Sequence, residues 1–342
     1  MWPSTSGPAA TSACYTAQQI DFAEYVLFVA DAPGPRPLTP RRLGVHAYVF
    51  EDSTLSDRLV FAQNVEGSYQ VFVTSSSAAQ PSPRRLSRVT AYDFSYSPGS
   101  DYVVYLDFID SMNARDLFFS TVAQDGPPPV QVNPGAGMGA STKVAWAPDG
   151  TRFAYIADER QPEAFDLFMV GIEAGLLGTP VTLNSTALMG TGIGLERALP
   201  AAFSPDGARV AYVADSVVLD RDELFVVDVN GPVPGAPRTV SSTAASTGDV
   251  QRFAFDALGD RLVYATEPDG GSVDAVYLAD LRGGAPVRVS PVLPRMQVLS
   301  EAWAGGDGAV IIELYDDSRR ALYLTDVRGA VPGVPVRLTD AL

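Results

Sequence analysis

The sequence has few of the residues from which metal sites and nucleophilic active sites are usually built. Its 342 residues include one cysteine (Cys14), one histidine (His46) and one lysine (Lys143). A single cysteine excludes an internal disulfide and a cysteine-built zinc site, and a single histidine excludes a multi-histidine metal site. A Ser-His-Asp triad would need His46, yet the chain has no Gly-x-Ser-x-Gly nucleophile elbow. We therefore expect no catalytic residues, no metal-ligating residues and no bound cofactor.

Long apolar runs and a basic surface are also missing. No apolar stretch approaches the ~18 residues of a membrane-spanning helix, so we expect no membrane insertion. The 24 basic and 40 acidic residues give a formal net charge of −16. Because nucleic-acid phosphates require a basic stripe, this acidity argues against binding to DNA or RNA.

A repeated pattern fills the chain instead, with a spacing of 44 to 57 residues. The centre of one predicted strand in each copy is marked by Tyr15, Phe61, Tyr105, Tyr155, Tyr212, Tyr264 and Ile312. An aromatic residue follows 11 or 13 positions later, at Phe28, Phe72, Phe118, Phe168, Phe225, Tyr277 and Tyr323. Each copy then ends in an apolar-polar pair, such as Leu86-Ser87 or Val240-Ser241. Seven copies carry all three markers.

This period, filled by short strands between turn residues, is typical of a β-propeller, in which each repeat is one four-stranded blade. We predict an all-β, seven-bladed β-propeller of antiparallel blades, with strands A to D from the central axis outward. It forms a single domain over residues 1–342, with repeats at approximately 1–40, 41–88, 89–134, 135–185, 186–242, 243–290 and 291–342. Blade 1 lacks its innermost strand, so either another segment completes it or the chain begins inside a longer protein. We favour the second interpretation.

A tight turn joins the first two strands of the best-preserved copies. Pro148-Asp149-Gly150 and Pro205-Asp206-Gly207 combine a proline with fixed φ, an aspartate that can bond its own backbone, and a glycine that tolerates positive φ. We therefore interpret these aspartates as turn residues and not as an acidic active motif.

The phrase [Trp/Phe]-[Ala/Ser]-Pro-Asp-Gly, followed by an apolar-aromatic strand and an Asp-Leu-Phe type strand, resembles the TolB-like, WD40-like (PD40) β-propeller repeats. The resemblance covers nearly the whole chain and is strong at residues 146–150 and 203–207. That family includes a periplasmic Tol-system propeller, the gating propellers of prolyl-oligopeptidase-type peptidases and some lyases. The resemblance implies a fold and a periplasmic or extracellular location, but only weakly an activity. The histidine-rich metal constellation of the related oligogalacturonate lyases is absent.

Candidate binding residues lie in the connections that differ between copies. Basic residues lead into the predicted A strands, where they could receive an anionic group or a partner's acidic segment. These candidates are Lys143, Arg197, Arg252 and Arg295, together with His46 near the start of a strand A. The long connection at residues 184–197 adds the apolar candidates Met189, Ile193 and Leu195 for a protein partner. The alternatives are a mixed solvated rim and a loop that packs over the channel.

The predicted B-to-C loops are acidic. They contain, among others, Asp107, Asp116, Asp166 and Glu223. Carboxylates at this density could bind calcium, but none shows the spacing of a dedicated calcium loop. We interpret them as residues that cap turns and keep the protein soluble.

The sequence thus favours a non-enzymatic TolB-like propeller that serves as a rigid scaffold for a protein or peptide partner. We expect a monomer in the cell envelope or the extracellular space. One alternative is an enzyme or part of one, either the propeller of a larger hydrolase or a carboxylate-metal carbohydrate-active enzyme. Another is a structural module whose partner lies within its own full-length polypeptide.

Overall fold

In the part of the chain that it describes, the computed structural model contains 28 β-strands and no helix. It describes residues 13–18, 25–31, 34–37, 45–49, 58–65, 68–75, 83–87, 90–99, 101–108, 115–123, 125–133, 144–161, 164–184, 201–215, 222–241, 248–268, 275–293, 296–304, 308–316, 319–329 and 331–339. All assigned strand pairs are antiparallel, as the alternating strand pattern predicts.

The first four sheets follow one another along the chain. The first contains β1 (Ala13–Gln18), β2 (Tyr25–Asp31) and β3 (Gly34–Pro37). The second contains β4 (Val45–Val49), β5 (Arg58–Val65), β6 (Ser68–Ser75) and β7 (Arg84–Arg85). The third contains β8 (Thr90–Tyr96), β9 (Tyr102–Phe108), β10 (Arg115–Thr121) and β11 (Val130–Gln131). The fourth contains β12 (Ala145–Trp146), β13 (Arg152–Gln161), β14 (Ala164–Glu173), β15 (Leu176–Leu177) and β16 (Val181–Thr182).

Three more four-stranded sheets complete the series. The fifth contains β17 (Ala201–Phe203), β18 (Arg209–Asp215), β19 (Asp222–Asp228) and β20 (Arg238–Thr239). The sixth contains β21 (Gly248–Phe255), β22 (Arg261–Pro268), β23 (Ala275–Asp280) and β24 (Val287–Arg288). The seventh contains β25 (Met296–Ala304), β26 (Ala309–Asp316), β27 (Arg319–Asp326) and β28 (Val336–Arg337). Each sheet lies inside one predicted repeat.

The chain divides into two compact units. One comprises Met1–Val144, Ala157–Pro162 and Ile172–Leu177, and the other comprises Ala145–Ile156, Glu163–Gly171 and Gly178–Leu342. A single domain over residues 1–342 therefore stays a prediction. So does the missing innermost strand of blade 1, because residues 1–12, where it would lie, are outside the described residues.

The distance of 11 or 13 residues between the two markers has a direct structural cause. The markers lie opposite each other on the second and third strands of a sheet, as in the pairs Tyr105↔Phe118 and Tyr212↔Phe225. The rings of these two pairs stack with centroids 5.8 and 5.3 Å apart. Aromatic cross-strand pairs of this kind stabilise a sheet through packing. The repeated spacing therefore records one conserved strand register.

The apolar core consists of clusters, each built from two successive sheets. In the second unit, Tyr212 of the fifth sheet shares a cluster with Ile156 of the fourth, and Tyr264 of the sixth shares one with Val213 of the fifth. In the first unit, Tyr105 lies in a cluster with Val71 of the preceding sheet. The central aromatic residue is thus the point at which one sheet packs on the sheet before it.

The Pro-Asp-Gly turns have the predicted chemistry. The Asp149 carboxylate accepts hydrogen bonds from the backbone N–H and the hydroxyl of Thr151, at 3.0 and 2.8 Å. Although partial burial raises the pKa of Asp149, these hydrogen bonds outweigh it, so the pKa lies below its ordinary value. Gly207, in the equivalent turn, has a φ of +69°, which few residues other than glycine adopt. The interpretation of these aspartates as turn residues is confirmed.

The apolar-polar pair that ends each repeat from the second to the seventh closes its sheet. The side-chain oxygen of its polar member accepts a hydrogen bond from a backbone N–H of the third strand. For example, Leu117 N–H donates to Asn133 at 2.7 Å, and Leu224 N–H donates to Ser241 at 3.1 Å. The backbone N–H of the apolar member, such as Val240, donates to a carbonyl of the same strand at 2.7 Å. These polar side chains therefore continue the pairing of a very short outer strand.

An arginine that follows the first turn links successive sheets within the second unit. Arg152 donates to the carbonyls of Gly207 and Val229, and Arg209 donates to the carbonyl of Gly259, at distances of 2.7 to 2.8 Å. Arg261 repeats the contact to the seventh sheet through the Val327 carbonyl at 2.8 Å. The arginine at this position of the repeat thus contacts the next sheet in all three cases.

Candidate functional site

Of the eight residues predicted to bind a partner, one has a described side chain. It is Arg252, in β21. His46 lies in β4, as predicted, and is the additional residue of a β-bulge between Val45 and Ala47; the structure describes only its backbone. The others lie outside the described residues, namely Lys143, Met189, Ile193, Leu195, Arg197 and Arg295. Their roles stay predictions.

The Arg252 guanidinium is held by the first strand of the next sheet. Its Nε and Nη2 donate to Oε2 of Glu301 at 3.3 and 3.2 Å, and Nη2 also donates to the Val298 carbonyl at 3.3 Å. The Glu301 side chain is 4% exposed, whereas the Arg252 side chain is 41% exposed. A buried carboxylate therefore holds one edge of a cation whose other edge reaches solvent.

Two β-bulges accompany this pair. The register of β21 shifts between Val250 and Arg252, and that of β25 shifts between Val298 and Ser300. A bulge places two residues opposite one, bends its strand and turns side chains to new directions. The bulges lie immediately beside the residues that form the ion pair, which we call the Arg252–Glu301 pair.

Glu301 was missed as a buried group, although the sequence contains a readable signal. It lies opposite Ile312, at the position where other first strands place Phe94 or Phe253 opposite the central aromatic marker. A glutamate in an apolar position indicates a partner. Burial raises the pKa of Glu301, and the nearby Arg252 charge and hydrogen bond reduce that rise without cancelling it.

The raised pKa predicts a pH-dependent stability with a definite sign. The folded chain binds a proton at Glu301 more tightly than the unfolded chain, so this residue makes the free energy of unfolding fall as pH rises above about 4.5, the ordinary pKa. The free energy of unfolding of the wild type minus that of Glu301→Gln should therefore be larger at pH 4 than at pH 7. Urea denaturation of both proteins at several pH values measures the difference. A difference that stays constant or grows with pH would contradict the prediction.

The structure partly contradicts the interpretation of the acidic B-to-C residues as residues that cap turns and keep the protein soluble. Asp107, Asp166 and Glu223 lie within β9, β14 and β19, and they are 1%, 6% and 1% exposed. The Asn184 amide donates to the Asp166 carboxylate at 2.6 Å. These three carboxylates are thus buried, because the strands extend further than the sequence indicated.

Neither a metal cluster nor a spanning helix occurs in the described ranges. No group of three or more His, Cys, Asp or Glu side chains in them is arranged to hold a metal ion. The described residues also contain no helix that is long and apolar enough to cross a membrane. Calcium binding by the remaining acidic residues stays an untested alternative to their interpretation as residues that cap turns and keep the protein soluble.

Comparison with known proteins identifies the fold. No protein-family model matches the sequence, and no curated protein is similar to it. A structure from a study of two prolyl endopeptidases aligns with a TM-score of 0.51 and 13% identity, covering 98% of this chain and 50% of that chain. The fold is a β-propeller. The β-propeller fold that the repeats predicted is confirmed, and the seven described sheets are consistent with seven blades.

Two further solved structures resemble the propeller less closely. A putative TolB from Agrobacterium tumefaciens is 17% identical, with a TM-score of 0.40, and the match covers 74% of this chain and 83% of that chain. An oligogalacturonate lyase from Vibrio parahaemolyticus is 14% identical, with a TM-score of 0.45, covering 96% of this chain and 85% of that chain. At these identities the likeness concerns the fold and not an activity.

Proposed function

We propose that this propeller is a non-enzymatic scaffold that binds a protein or peptide in the cell envelope or outside the cell. The observation that carries the proposal is the Arg252–Glu301 pair. It offers an oriented and exposed guanidinium on a first strand, held by groups that do not depend on a ligand. The proposed location follows from the resemblance of the repeats to TolB-like propellers.

The rigidity of the sheets supports a binding role. Within the second unit, arginines link each sheet to the next, and buried aromatic residues pack at the same junctions. A surface on such a scaffold loses little conformational freedom when a partner binds, which favours affinity.

An array of random peptides of about ten residues tests the proposal. We expect the wild-type chain to bind a minority of sequences with affinities in the micromolar range or tighter, a range typical of short peptides on preformed surfaces. Fluorescence polarisation with resynthesised peptides measures the affinities, and heat-denatured protein is the control. An array on which the folded chain binds no sequence above the denatured control would refute the proposal.

The second candidate is the propeller of a larger hydrolase. It is motivated by the prolyl endopeptidase structure, of which this chain matches 50%. Sequencing the DNA on both sides of the coding segment tests it. A hydrolase domain in the same reading frame would favour this candidate over a separate binding protein.

A further inference from the structure

The Arg252 guanidinium keeps hydrogen-bonding capacity that the fold does not use. A guanidinium has five N–H donors in one plane. Nε and Nη2 bond to Glu301 and Val298. Nη1 has no hydrogen-bond partner among the described residues, and the side chain is 41% exposed. The Nη1 donors are therefore not used by the described residues, and they belong to a side chain that solvent reaches.

Glu301 fixes the direction of that plane and leaves its outer edge available. Its carboxylate is 4% exposed, so it faces Arg252 from inside the protein and leaves little room for a ligand on its own side. The Val298 carbonyl supports the same edge. Because these contacts already restrict the arginine, a ligand need not order it on binding. Glu301 is thus a positioning residue for Arg252.

The surroundings favour a peptide over an acidic sugar. The extra residue of the β25 bulge, Leu299, has backbone groups that the strand ladder does not pair, and it follows Val298, whose carbonyl holds the guanidinium. A peptide has complementary N–H and C=O groups at regular spacing. Half-buried Leu299 and exposed Ser300 lie within the β25 bulge and add apolar and hydroxyl contacts.

We infer that Arg252 anchors a carboxylate of an acidic peptide segment, with Glu301 holding the guanidinium in place. This inference rests on the proposed peptide-binding function and specifies its ligand. The two N–H groups of Nη1, which Glu301 and Val298 do not use, can donate to a carboxylate oxygen, and such charge-assisted hydrogen bonds are stronger than neutral ones. Since the chain has a net charge of −16, recognition depends on direct contact and not on long-range attraction.

Matched pairs on the peptide array test the inference. Each random sequence is printed twice, once with Asp and Glu and once with Asn and Gln at the same positions. For a subset of bound sequences, we expect the wild type to bind the carboxylate version about 10- to 100-fold more tightly. Arg252→Gln should abolish this preference, and Arg252→Lys and Glu301→Gln should reduce it. Arg328→Gln is the matched control, because Arg328 is an exposed arginine paired with Asp326 in its own turn.

The outcomes separate the inference from the proposed function. Peptides that bind equally in both versions, or a preference that survives Arg252→Gln, would overturn the inference and leave the scaffold proposal standing. An array without binders would overturn both. Binding of a short oligogalacturonate without any peptide would overturn the choice of a peptide ligand. Thermal melting of every variant verifies folding, and Arg252→Lys, which keeps the charge, replaces Arg252→Gln if the latter unfolds.

Discussion

Replacing Tyr105 with alanine is expected to lower the free energy of unfolding by about 3–5 kcal/mol, the usual cost of removing a large aromatic side chain from a core. Tyr105 is 1% exposed, and its ring stacks on Phe118 with centroids 5.8 Å apart. Its hydroxyl donates to the Leu86 carbonyl of the preceding sheet at 3.0 Å. The substitution therefore removes packing within one sheet and a hydrogen bond between two sheets. Urea denaturation monitored by circular dichroism measures the change.

Two matched variants separate these contributions. Tyr105→Phe keeps the ring and removes only the hydroxyl, so it should cost about 1–3 kcal/mol, the penalty for a buried carbonyl left without its donor. Val130→Ala, at a 51% exposed position in β11 of the same sheet, should change stability little. A Tyr105→Ala protein as stable as Val130→Ala would show that the marker residue is not a core residue.

Replacing Arg261 with alanine is expected to cost about 2–4 kcal/mol, because it removes the cation from a buried carboxylate. The Nε of Arg261 donates to the Asp256 carboxylate at 2.9 Å, and the Asp256 side chain is 1% exposed. Nη1 bonds to the Val327 carbonyl of the next sheet at 2.8 Å, and the guanidinium lies 5.0 Å from the Trp303 ring centroid. One substitution thus removes an ion pair, a contact between sheets and a cation–π contact.

The control for this prediction is an arginine in the same repeat, in the turn that follows β23. Arg282 pairs with Asp260, but its side chain is 69% exposed, and exposed ion pairs contribute little to stability. We expect Arg282→Ala to leave the urea midpoint almost unchanged, whereas Arg261→Ala shifts it clearly. Equal shifts for the two variants would mean that burial of Asp256 does not increase the strength of its ion pair.

The repeat could be predicted from sequence because every copy forms the same strand pairing and the same kind of turn. Tyr212 and Phe225 must lie opposite each other, and Pro205-Asp206-Gly207 must turn, wherever the copy occurs in the chain. Because these contacts are local, the same types of residue recur at regular spacings in the sequence. The extent of the strands was less predictable, because backbone pairing continues through Asp107 and Glu223 as readily as through apolar residues.

The candidate site was less accessible to prediction, because it joins two repeats. Arg252 could be named from its position before a predicted strand, but its partner lies 49 residues further along the chain. No local rule relates the two residues. The bulges that direct them depend on the register of each strand with its neighbour, which a single sequence does not specify.

The sequence by itself determined the repeated unit of this protein, the pairing of the aromatic markers on its second and third strands, and its turns, since these depend on contacts between residues close in the chain. It also determined that an internal disulfide, a cysteine-built zinc site and a multi-histidine metal site are excluded within this chain. Only the tertiary structure decided which charged groups are buried and which partners they have. Burial of Glu301 and exposure of Arg252 arise where neighbouring sheets pack, and desolvation there depends on what surrounds a side chain in space.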